Sequence, residues 1–75
     1  MFLPGDIVTL EWARDHPRED APLFIVLHRI EEGDGDTIGD YCVYCYYSNN
    51  ERRYTRAWVN THFAIPPNKL IKFNI

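Results

Sequence analysis

Apolar and polar positions alternate with period two along most of this chain, the signature of strands with one buried face. In IVTLEW, Val8, Leu10 and Trp12 share one side while Ile7, Thr9 and Glu11 share the other, which predicts a first strand over residues 6 to 13 after the Leu3-Pro4-Gly5-Asp6 turn signal. ARDHPREDAP is too charged and proline-punctuated to pack, and is expected to be an exposed loop of about eight to ten residues. LFIVLHRI predicts a second strand, in which Phe24, Val26, His28 and Ile30 alternate with Leu23, Ile25, Leu27 and Arg29, apolar on both faces near its start. The ten residues EEGDGDTIGD hold three glycines and five acids, so they read as a mobile connection into a third strand over 40 to 48. That strand, centred on YCVYCYY, is dense in aromatic and β-branched side chains.

Ser48-Asn49-Asn50-Glu51 is the clearest hairpin signal, and its expected partner strand is RYTRAWVN, 53 to 60. THFAIPPN is expected to break regularity because two adjacent prolines cannot sit inside a strand or helix. KLIKFNI supplies a last short strand. Five short strands in a row, with one long charged loop after the first, predict an all-β domain, a small five-stranded barrel spanning residues 1–75.

A turn centred on Asn49-Asn50 would set Tyr47 opposite Arg52, Cys45 opposite Tyr54, Val43 opposite Arg56 and Tyr41 opposite Trp58. One face would then carry Tyr41, Tyr47, Tyr54 and Trp58 with Arg52 and Arg56. The other would carry Cys42, Tyr44, Tyr46, Arg53, Thr55 and Ala57. Burying two arginines in so small a barrel is costly, so the first face is expected to look outward. Tyrosine, tryptophan and arginine are enriched at binding hot spots, which makes these six residues the candidate partner-binding set.

Both cysteines fall in the same strand, and strand alternation sends Cys42 and Cys45 to opposite faces. They are therefore expected to be reduced structural thiols, Cys42 inside and Cys45 outside, and not a zinc or redox pair. His16, His28 and His62 offer no second ligand pair. Glu32-Gly33-Asp34-Gly35-Asp36 resembles a calcium loop at its start, but the required glycine falls on Thr37 and the final acid on Val43. The single serine, Ser48, has no neighbouring base, and the four glycines match no nucleotide fingerprint. No catalytic residue, metal or cofactor is expected.

Size and charge sharpen this picture. A chain of this length buries only about 60% of its unfolded surface, which favours a binding face over a deep cleft. The longest apolar run, Leu23 to Leu27, is far too short to span a membrane, and MFLPGDIV lacks the basic start of a secretory signal, so a cytoplasmic setting is expected. The net charge of −3 hides an asymmetry: residues 1 to 40 carry ten acids against three arginines, whereas residues 41 to 75 carry one acid against five cations. An acidic total is unusual for a phosphate-backbone binder.

Gly-Asp-Ile-Val-Thr-Leu at 5 to 10, Pro22-Leu23-Phe24-Ile25-Val26, the cysteine-aromatic strand from Cys42 to Tyr47, and Phe63 followed by proline and Leu70 resemble the YodC-like group of very small SH3-like barrels. The resemblance spans most of the chain and implies an SH3-like barrel, with no activity attached. The chain departs from the group's pattern where Phe24 replaces the usual methionine, where Cys-x-Trp-Phe is missing, and in two longer connections. The resulting expectation is a non-enzymatic SH3-like binding module with a protein partner, monomeric or dimeric, flanked by the charged loop of residues 14 to 21. RNA or DNA, stacked on the tyrosines with Arg52, Arg53 and Arg56 on phosphates, is the alternative.

Overall fold

The computed structural model describes residues 2–15, 21–33, 35–48 and 57–73. Five antiparallel strands form one sheet: β1 (Ile7–Leu10), β2 (Leu23–Arg29), β3 (Tyr41–Tyr47), β4 (Thr61–Ile65) and β5 (Leu70–Lys72), in the spatial order β4-β3-β2-β1-β5. This is an all-β, five-stranded SH3-like arrangement, with a short 3-10 turn (Pro67–Lys69) before the last strand. β4 and β5 are the two edges and do not pair with one another, so the barrel is open.

Each strand begins where local chemistry bends the chain. The Leu3 carbonyl accepts the Asp6 amide at 3.0 Å around Pro4-Gly5, and Gly5 has φ 93. Proline then glycine with positive φ is the preferred pair for a type II turn. The same device recurs before β3, where the Asp40 amide donates to the Thr37 carbonyl and Gly39 also has φ 93. The Ile30 amide donates to the Asp40 carbonyl at 2.8 Å, extending the β2–β3 ladder beyond the strands. The acidic connection expected to be mobile is thus pinned at its C-terminal end.

Strand one is shorter than its alternation suggests. After Leu10 the chain tightens into a 3-10 turn (Glu11–Asp15) that buries Ala13, so Trp12 leaves the strand. Thr9, 2% exposed, explains how the following loop is tied back: its Oγ1 donates to the Pro22 carbonyl at 2.6 Å. A hydroxyl at a strand position is satisfied by the loop's return rather than by water.

The larger correction concerns β4. The strand paired with β3 is THFAI and not RYTRAWVN: Tyr41 faces Ile65, Val43 faces Phe63 and Cys45 faces Thr61. Trp58 lies in a turn over 57–60, and Asn60, with φ 67, closes that turn immediately before β4. Pro66 and Pro67 end β4 instead of breaking it, because proline is tolerated just past a strand's last ladder bond. Residues 53–56 of the expected partner strand lie outside the described residues.

Among the described residues the core consists of Val8, Phe24, Val26, Tyr41, Val43, Cys45 and Leu70, one to three inward positions from each of four strands. Phe2, Leu10, Trp58, Phe63 and Ile65 pack around it half-buried. Phe63 holds two edge-on ring contacts, with Phe24 at 6.1 Å and Trp58 at 5.6 Å. Phe63 and Ile65 come from edge strand β4, and their half-burial marks where the barrel opens.

Candidate interaction surface

The observed register reverses the two faces of β3. Tyr41, Val43 and Cys45 point inward, whereas Cys42, Tyr44 and Tyr46 are half-buried on the outer side. The expectation of an outward face rested on arginines opposite Val43 and Tyr47. With Phe63 and not Arg56 opposite Val43, nothing polar opposes burial and the apolar residues turn in.

Of the six expected site residues, Tyr41, Tyr47 and Trp58 are described, and these three do not form one exposed face. Tyr41 is 4% exposed, stacked edge-on against Phe2 at 5.3 Å, and its hydroxyl accepts the Phe2 amide at 3.4 Å. Trp58 is half-buried against Phe63. Tyr47 alone among the described ones is exposed, and it sits at the far end of β3 from Tyr41, about 20 Å along the strand. Arg52, Tyr54 and Arg56 lie outside the described residues. The thiols sit on opposite faces as the alternation requires, but interchanged: Cys45 is fully buried and Cys42 half-exposed, both free. Burial pushes the Cys45 thiol above the usual range, with a backbone hydrogen bond at Tyr47 offsetting part of the effect.

A different surface emerges on the outer side of the sheet. Ile7, Ile25, Tyr44 and His62 form one row across β1, β2, β3 and β4, and His28, Cys42 and Ala64 form a second across β2, β3 and β4. The Tyr44 and His62 rings lie 5.1 Å apart, and the Tyr44 hydroxyl donates to Asn60 Oδ1. Tyr46 is half-buried nearby, and burial pushes its hydroxyl pKa upward. A register shift between Val26 and His28 leaves Leu27 as the extra residue of a bulge, turned out to solvent.

Across LFIVLHR, YCVYCYY and THFAI the one formally charged side chain is Arg29, at the end of β2. A quarter of the chain is charged, so the charges are concentrated in the connections and the sheet face is nearly free of them. This feature was present in the sequence as strands apolar or uncharged at both parities.

Among the described residues no group of three or more His, Cys, Asp or Glu side chains could hold a metal ion, and no helix is long and apolar enough to cross a membrane. The chain matches no family model, no curated protein and no solved structure.

Proposed function

We propose that this chain is a non-enzymatic binding module that docks a protein partner on the outer face of β2, β3 and β4. The observation that carries this reading is the nearly uncharged outer face, where Ile25, Leu27, Tyr44 and Tyr46 sit beside His28, Cys42, His62 and Ala64. Aromatic and aliphatic area with a few hydrogen-bonding tips is the make-up of interface centres, from which charged residues are depleted. An accessory or inhibitory role on a larger partner suits a chain of 8.9 kDa, and two reduced thiols suit a cytoplasmic setting.

The test is affinity capture with the tagged chain from nuclease-treated lysate, against Leu27→Lys and Tyr46→Lys variants that place charge on the face. The expected result is a defined protein partner, retained at moderate salt and lost with either variant. Capture abolished by nuclease, or falling steeply with salt, assigns nucleic acid instead. Capture unchanged by both variants removes this face from the reading.

A further inference from the structure

We infer that β4 is a self-complementary edge through which two copies of this chain pair, antiparallel and centred on Phe63. This does not rest on the partner reading above, since it concerns the edge of the sheet and requires no third molecule.

The two edges of the sheet differ in how they are protected. Folded proteins blunt edge strands with lysine, proline, bulges or short length, because the outward backbone N–H and C=O groups otherwise template pairing with another chain. β5 has three residues, ends on Lys72 and follows Lys69 directly, and Lys72 also reaches Asp6 at 3.6 Å. β4 has five residues, THFAI, with no charge, no proline and no bulge in its pairing with β3. Among the described residues, the edge with the longer ladder is therefore the one without a guard.

The ends of β4 select the register. Asn60 in the left-handed conformation stops the strand on one side and Pro66 on the other, so a full-length antiparallel partner must run 61 to 65 against 65 to 61. Phe63 then meets Phe63 of the second copy, Thr61 meets Ile65, and His62 meets Ala64. Strand alternation puts Thr61, Phe63 and Ile65 on the core side. Phe63 and Ile65 are half-buried at the open side of the barrel, where a second β4 would cover them. His62 and Ala64, both exposed, fall on the outer face, which would run uncharged from one copy into the next. With a net charge of −3 per chain, association through a charged edge would add repulsion, and a neutral strand avoids it.

The decisive measurement is the mass of the purified chain in solution over a concentration series, by sedimentation equilibrium. The expected species is a dimer of the 8.9 kDa chain. Replacing His62→Lys together with Ala64→Lys sets lysines opposite lysines in this register and is expected to weaken the dimer by roughly ten-fold or more. That change also moves the net charge from −3 to −1, which by itself would favour association, so the loss is local to the edge. His62→Glu with Ala64→Lys sets opposite charges across the two-fold and should restore the dimer. A chain that stays monomeric at its solubility limit overturns the inference, as does a dimer indifferent to the double-lysine change. If that variant does not fold, amide exchange in the unaltered chain decides. Protection of the 61–65 amides that rises with concentration supports the pairing, and concentration-independent exchange overturns it.

Discussion

Val43 and Phe63 face one another across the β3–β4 ladder, Val43 fully buried and Phe63 half-buried with its ring against Phe24 and Trp58. This one pairing orders the faces of two strands. Because Phe63 packs against two aromatic rings at the open side of the barrel, Phe63→Ala should cost about 2–3 kcal/mol, below the value for a fully buried phenylalanine. His62→Ala, one residue away on the outer face, should change stability by about 0.5 kcal/mol or less. Urea unfolding of both variants checks the pair, and equal losses would contradict the assigned faces.

Asn60 makes a related prediction about the turn before β4. Its φ of 67 suits asparagine or glycine, its amide donates to the Cys45 carbonyl at 2.7 Å, and its side chain accepts from Tyr44. Asn60→Ala should destabilise by about 1–2 kcal/mol, since a Cβ without a local polar group strains this conformation. Asn60→Gly should recover most of that loss. Thermal unfolding that ranks alanine above glycine would be inconsistent with the observed turn.

Thr9 and Pro22 give a third. Thr9→Val keeps the volume but leaves the buried Pro22 carbonyl without the donor it has at 2.6 Å. A loss of about 1–3 kcal/mol is expected, the usual cost of orphaning a buried acceptor. Proteolysis within the 11–22 connection should quicken in parallel, because this bond fastens the loop's return to β1. Unaltered proteolysis would mean the loop is held by other contacts.

The thiols give a pH dependence with a definite sign. Burial raises the Cys45 thiol in the folded chain, so the unfolded chain loses that proton first as pH rises. Stability from this group is intact below the unfolded thiol pKa, about 8.5, and drains away as pH climbs from there through the raised folded value. The Tyr46 hydroxyl, also raised by burial, should add to the fall at higher pH. Cys45→Ala should flatten the first part of that decline in urea midpoints measured from neutral to alkaline pH. At neutral pH a thiol reagent should modify Cys42 well before Cys45, reversing the order expected from a turn centred on Asn49-Asn50. Equal labelling rates in the native chain would count against the observed burial of Cys45.

The strands β1, β2, β3 and β5 were legible from periodicity, and so was the turn at Gly5, because these depend on residues adjacent in sequence. All-β architecture and a small five-stranded barrel followed from the same local patterns, and the SH3-like type was implied by the resemblance carried by residues 5–10, 22–26 and 42–47. β4 and the nearly uncharged outer face were not legible. Asn49-Asn50 is a strong local turn signal, yet the ladder opposite β3 is made by Thr61–Ile65, further along the chain. Only packing chose between RYTRAWVN and THFAI, since Phe63 and Ile65 can continue the apolar core beside Val43 and Tyr41, whereas Arg56 opposite Val43 could not. The sequence determined that Cys42 and Cys45 would part to opposite faces, as period two requires. Which of them lies inside was a question of what stands across the strand, and that belongs to the tertiary structure.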